Sequence, residues 1–167
     1  MFESVIKSLE TVLIIIVINL NTWGLDFYDI PQNKVIKIID GDTLEVYHDN
    51  KIEKIRMIGL NTPESVDPRR GLECFGIESS DRLKNLLEGK IVKLEEDETQ
   101  GSLDKYGRAL RYIFLDGINI NQKMIQEGYG FEYTYKKPYK YQKEFKQSQK
   151  IAEENNVGLW NEKNCQY

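Results

Sequence analysis

Three runs rich in β-branched residues, separated by short turn-forming stretches, most constrain what this chain can fold into. They lie at 35–39, 43–47 and 52–58. β-Branched residues suit a pleated, half-buried surface, so each run predicts a strand. Gly41 supplies a turn or bulge between the first two, and Asp49-Asn50 a turn between the second and third. Strands this close in sequence form an antiparallel meander, which must curl or pack to bury its apolar face.

The rest of the chain supplies what the meander packs against. A helix is predicted over 76–88, with Leu83, Leu86 and Leu87 on one face and Gly89 just beyond its end. A fourth strand over 90–95 leads to an acidic loop, 96–104, and a fifth strand over 108–115 ends at the Asp116-Gly117 turn. Helices are predicted over 119–127 and 138–155, and Gly158-Leu159-Trp160 is expected to pack the tail on the core. Five short strands with a helix between the third and fourth make an α+β pattern, an OB-fold five-stranded Greek-key barrel with three helices. Such barrels often bind nucleic acid, but the fold alone does not assign a function.

The 167 residues are enough for one domain of this kind, and 40% hydrophobic with 30% charged residues is ordinary for a globular chain. Residues 1–33 are set apart as an N-terminal segment and linker, with the folded domain at 34–167. The apolar run 12–20 is the length of a signal-peptide core and short for a membrane span. It is read as an export signal or short membrane anchor, which places the protein in the secreted or surface-attached class. A buried amphipathic helix is the alternative. Cys74 and Cys165 fit no zinc spacing. They would pair in an exported protein and be unrelated thiols in a cytosolic one; the N-terminal segment favours the pair.

Two stretches carry chemistry. Asp40-Gly41-Asp42-Thr43 places two carboxylates at a strand end, and 56–64 carries Arg56 into a turn fixed by Pro63, with Glu64 behind it. Carboxylate oxygens suit Ca²⁺ or Mg²⁺ over a soft metal. A guanidinium fork matches a phosphate. Arg108 opens the fifth strand. Singly, Arg56, Glu64 and Arg108 read more simply as surface residues. Jointly with a cation they suffice for attack of water on a phosphodiester, because two fixed cationic groups and a base serve a phosphoryl transition state. His48 has no partner that marks it as catalytic. The net charge of −4 argues against bulk attraction to nucleic acid. Between 136 and 150, however, six lysines oppose one glutamate, with Tyr133, Tyr135, Tyr139 and Tyr141 close by. Lysine neutralises phosphate and tyrosine stacks on bases, although a solvated helix face would look similar.

From 35 to 160 the chain resembles the staphylococcal nuclease, or thermonuclease, family. The marks are Ile39-Asp40-Gly41-Asp42-Thr43, Arg56, Thr62-Pro63-Glu64, Gly76 and Glu78, Asp104-Lys105-Tyr106-Gly107-Arg108, Asn121 with Gly128, and Gly158-Leu159-Trp160. The resemblance implies a calcium-dependent endonuclease acting as a monomer on single-stranded or locally open DNA and RNA. It implies Asp42 and the Thr62 carbonyl as calcium ligands, Glu64 as general base, and Arg56 and Arg108 as transition-state arginines. It also places Arg70, Lys105, Tyr106, Tyr133 and Tyr135 on the substrate. One position departs: the family's commonest residue before Thr-Pro-Glu is aspartate, and here it is Asn61. An amide oxygen can still ligate calcium, but with one charge fewer the metal is expected to bind more weakly and other divalent ions to be tolerated. A non-catalytic OB-fold binding module is the alternative, as is a disulfide-stapled surface protein with no nucleic-acid role.

Overall fold

A computed structural model describes residues 30–65, 71 and 73–165. The chain divides into two units, Met1–Ile30 and Pro31–Tyr167, and the description below concerns the second. The apolar run 12–20 lies outside the described residues. Among those described, no helix is long and apolar enough to cross a membrane.

The meander is present as β1 (Lys34–Asp40), β2 (Thr43–His48) and β3 (Lys51–Met57), paired antiparallel in order. The ladder between β1 and β2 shifts register between Ile38 and Asp40, a bulge just before the paired aspartates. β4 (Leu60–Asn61) follows, then α1 (Gly76–Leu87), β5 (Lys93–Glu95), β6 (Ala109–Leu115), β7 (Ile118–Asn119), α2 (Ile120–Gln126), β8 (Phe131–Glu132), α3 (Gln142–Glu154) and a 3₁₀ turn, Gly158–Trp160. β3 pairs parallel with β6, and β6 pairs antiparallel with β5, giving the sheet order β1-β2-β3-β6-β5. Its two edges meet through a single bridge, Lys34 to Ile91, flanked by Val35 N–H to Lys90 O and Val92 N–H to Asn33 O. The barrel thus curls shut there without a continuous ladder, and the fourth strand is shorter than the run 90–95.

The expected apolar face is the core. Leu44, Val46, Ile55, Leu83, Leu87 and Ile113 are fully buried, and Leu86 packs against them from the edge. Asn121 is buried in α2: its amide oxygen accepts from Ile113 N–H, and its amide nitrogen donates to Ile58 O at 2.8 Å. That one side chain closes backbone groups at the end of the meander and in β6, where no ladder reaches. The tail docks through Leu159, whose N–H donates to Gly128 O, and through Trp160 edge-on to Phe131. Cys74 and Cys165 are disulfide-bonded.

α3 starts four residues later than its composition predicts, and Asp97 is the reason. Within the acidic loop 96–104, Asp97 is 4% exposed. It accepts from Tyr112 O–H at 2.6 Å, Lys140 N–H at 2.8 Å, and both the N–H and O–H of Thr99. Holding the Lys140 N–H takes 138–141 off the helical path and seats Tyr139 against Phe145. Burial alone would raise the Asp97 carboxyl, but the hydrogen bonds from Lys140, Tyr112 and Thr99 outweigh it and hold the group below its ordinary range. A depressed carboxyl stabilises the fold above its unfolded pKa and loses that contribution as pH falls through the lower folded value. Asp97→Ala is therefore expected to cost about 2–4 kcal/mol near neutral pH, because it strands buried donors. In urea denaturation the gap to the parent should close only below pH ~4, the ordinary aspartate pKa.

Candidate active-site cleft

The end of β3, the turn before α1, the loop ahead of β6 and the segment after β8 surround one cleft of about 760 Å³. Its lining includes Asp40, Asp42, Arg56, Asn61, Thr62 and Glu64, and across from them Lys105, Tyr106, Arg108, Tyr133 and Tyr135. All the site residues expected from the sequence are brought together here except Arg70, which lies outside the described residues.

Asp42 is the hub. Its Oδ2 pairs with Arg56 Nη2 at 2.9 Å and accepts from Thr62 N–H, while Oδ1 accepts from the Thr43 hydroxyl. The Asp42 N–H donates to Asp40 Oδ1, so the two carboxylates converge through a turn between β1 and β2, not through strand alternation. Gly41 has to be small: a Cβ there would stand 2.7 Å from Thr62 Oγ1. Arg56 is largely committed to the protein. Nη1 donates to Met57 O and Leu60 O, and Nη2 reaches Asn61 Oδ1 at 3.3 Å.

Arg108 is held differently. Asp104 accepts from Arg108 Nε at 2.7 Å and from the N–H groups of Arg108 and Tyr106, which fixes both side chains at the cleft wall. Burial would raise the Asp104 carboxyl; the hydrogen bonds from Arg108 and Tyr106 hold it below the usual range. Arg108 Nη1 makes only a long contact, 3.4 Å, to Thr43 Oγ1, and Nη2 makes no hydrogen bond among the described residues. Its remaining donors border the cleft.

Glu64 is placed by its backbone. Its N–H donates to Glu73 Oε2 and its carbonyl accepts from Glu73 N–H, both at 2.9 Å. The Glu64 carboxylate accepts from Ser65 N–H. The start of α1 comes so close that a Cβ on Gly76 would stand 2.4 Å from Glu64 O, which accounts for glycine at that position. Around the rim, Tyr106, Tyr133 and Tyr135 are exposed. Tyr133 and Tyr135 stack on each other, Lys105 lies over Tyr106 and Lys136 over Tyr135. The lysine-rich stretch does not act as one patch: Lys136 lines the cleft, Lys140 pairs with Glu95, and Lys150 with Glu154. His48 pairs with Asn33 on β2, away from the cleft lining.

The donor set suits a hard cation. Asp40, Asp42, Asn61 and Thr62 all line the cleft, and carboxylate, carbonyl and amide oxygens are hard donors. Burial, and then the neighbouring Asp42 charge, push the Asp40 carboxyl up to about 6. A cation held beside these carboxylates would favour their charged form. No group of three His, Cys, Asp or Glu side chains gathers among the described residues, so carbonyl, amide and water oxygens would complete the shell, as calcium accepts.

Residues 54–162 match the family described as "Staphylococcal nuclease homologue". The chain belongs to the staphylococcal nuclease family. It is 40% identical to a thermonuclease of Staphylococcus hyicus over 82% of this chain and 80% of that protein. It is 35% identical to a thermonuclease of Staphylococcus intermedius over 75% and 74%. It is also 30% identical to the SPbeta prophage-derived endonuclease YokF of Bacillus subtilis, over 74% of this chain and 42% of that longer protein. The protein is thus a nuclease with nucleic acid as its substrate class, and the non-catalytic alternatives fall away. The chemistry of the sequence pointed to both carboxylates of Asp40-Gly41-Asp42-Thr43, whereas the resemblance carried only Asp42 as a calcium ligand. Sequence reasoning passed over Asp104, whose sequence signal was its place in Asp104-Lys105-Tyr106-Gly107-Arg108, and Glu73, which lies between two of the quoted motifs and carried no signal of its own.

Asp104 generates a prediction. Asp104→Ala should lower nuclease turnover at least ~10-fold through misplacement of Arg108, and reduce stability by only about 1–3 kcal/mol. Steady-state kinetics on a single-stranded substrate beside urea denaturation separates the two.

Proposed function

We propose that this nuclease hydrolyses the phosphodiester bonds of DNA and RNA as a calcium-dependent endonuclease, using this cleft. The observation that most supports it is that Asp42, Arg56, Glu64 and Arg108, from four separate parts of the chain, line the same cleft. Asp42, helped by Asp40, the Thr62 carbonyl and Asn61, would hold the ion. When bound, the ion supplies Lewis-acid polarisation of a phosphate oxygen.

The chain's own groups do the rest. Glu64 takes a proton from the attacking water as its oxygen bonds to phosphorus. The bond from phosphorus to the departing sugar oxygen breaks, and that oxygen collects a proton from solvent. Arg108 offers its uncommitted Nη hydrogens to the equatorial oxygens, where charge is dispersed in the transition state. Arg56 reaches the same phosphate by giving up its weakest contact, to Asn61. Tyr106, Tyr133 and Tyr135 stack on bases and Lys105 meets phosphate, with Arg70 as a further phosphate contact. Stacking needs exposed base faces, which favours single-stranded or locally open substrates. All these groups come from one chain, consistent with a monomer.

Residues 1–33 are proposed as an export or anchor segment and 34–167 as the nuclease domain. The disulfide supports a secreted or surface-attached location, because such bonds persist in oxidising compartments.

Arg108→Ala and Glu64→Gln are each expected to lose about 10³-fold in turnover or more, with the fold intact by circular dichroism. Chelation of calcium should abolish plasmid nicking. Parent-like cutting by Arg108→Ala would refute the mechanism.

The metal set is tested without activity. Calorimetric titration with Ca²⁺ should show weaker binding to the parent than to Asn61→Asp, by about 10-fold, since affinity follows ligand charge. Equal affinities would remove Asn61 from the shell.

A further inference from the structure

Glu64 sits ahead of a segment that is not described, yet its backbone is held from across that segment by a turn at the start of α1. Glu73 grips Glu64 twice. Its carboxylate accepts the Glu64 N–H, and its own N–H donates to the Glu64 carbonyl. The turn that carries Glu73 is closed by Gly76 N–H to Glu73 O at 3.1 Å. Phe75 occupies its third position with φ 69° and ψ 8°. That is the left-handed region, which such a turn ordinarily reserves for glycine and which a bulky side chain enters only under constraint. Two constraints are present. The Phe75 ring lies 5.5 Å from that of Tyr129. The residue between Glu73 and Phe75 is Cys74, tied to Cys165. Cys165 is buried in a tail that docks independently through Leu159 N–H to Gly128 O.

We infer that Glu73 is a positioning residue for the hydrolytic step, aiming Glu64 through its backbone, and that the Cys74–Cys165 disulfide holds the strained turn in the shape that lets it do so. The inference rests on the reading of Glu64 as the base. A small displacement matters here, because a misplacement of about 1 Å in a reacting group costs ~100-fold in rate. The disulfide also stabilises the whole domain by constraining the unfolded chain. Its second role is local, and the two are separable by experiment.

The test uses the full chain with calcium, well below its melting temperature. Glu73→Ala should lower kcat by about 10- to 100-fold with KM changed less than ~3-fold. Glu73→Gln keeps an acceptor oxygen for the Glu64 N–H and should recover most of the loss. Cys74→Ser with Cys165→Ser should lower kcat in the same sense, and adding Glu73→Ala to it should cost less than Glu73→Ala alone, because both act on one turn. Hydrogen exchange of the Glu64 amide should speed up in each impaired variant while core amides of β6 stay protected. A parent-like kcat in Glu73→Ala overturns the inference, as does a fall in kcat without faster Glu64 exchange. If Glu73→Ala does not fold, Glu64 exchange and kcat in the disulfide-free pair decide alone. Glu64→Gln, assayed alongside, keeps the two readings apart. Parent-like activity there defeats the base assignment, whereas unchanged Glu64 exchange across the series defeats the clamp.

Discussion

The mouth of the barrel depends on one ion pair removed from water. The side chains of Asp42 and Arg56 are 9% and 13% exposed. Taking two charges out of solvent costs several kcal/mol per ion, which is offset only when geometry is good and the remaining donors are satisfied. Here the backbone meets that demand. The chain turns after β3 so that both Met57 O and Leu60 O face the guanidinium, and Thr62 N–H faces the carboxylate. The path of 57–62 is the path that pays the desolvation cost of the pair. The same path carries Asn61, Thr62 and Glu64 into the cleft, so the fold's constraint and the site's geometry are one arrangement.

This unequal burial divides the two arginines. Removing Arg56 leaves Asp42 buried without its partner, and a loss of activity there mixes chemistry with lost structure. Arg108 is more exposed, is held from one side by Asp104, and leaves donors at the cleft. It reports on the chemistry more cleanly. The rim is different again. Three exposed tyrosines lie beside Lys105 and Lys136, and flat rings with local cations are the kind of surface that suits a polyanion without reading its sequence. A chain with net charge −4 can therefore hold nucleic acid, because the cations that matter are local.

The strands of the meander and the buried face of α1 were legible because β-branched runs and leucine spacing are local signals. The parallel pairing of β3 with β6 was not, since it joins residues 54 apart in sequence through only three registered pairs, Ile55 with Ala109 to Met57 with Arg111. The two-residue strands β4 and β8, which pair with each other, are too short to leave a pattern. The start of α3 was missed because lysine favours helix while Asp97 claims the Lys140 N–H, and a buried aspartate looks in sequence like any other loop acid. Within the site, residues that touch the cleft were legible from chemistry: two aspartates, two arginines and a proline-fixed glutamate. Residues that hold those in place, Asp104 and Glu73, were not, because part of their grip is on backbone N–H groups, of Tyr106, Arg108 and Glu64, that every sequence contains.

Asn61 fits the charge balance at this mouth better than a third carboxylate would, before any ion binds. Its Oδ1 accepts from the same Arg56 nitrogen that pairs with Asp42. An aspartate there would set a second carboxylate against one guanidinium, beside the Asp40 and Asp42 pair already crowded by burial. Like charges at such range repel strongly where water is scarce. The amide keeps the acceptor and omits the charge. The mouth thereby carries less negative charge, and the Arg56 contact to Asn61, at 3.3 Å, is the longest that Arg56 makes there. Asparagine thus keeps the contact to Arg56 without adding a further charge beside Asp40 and Asp42.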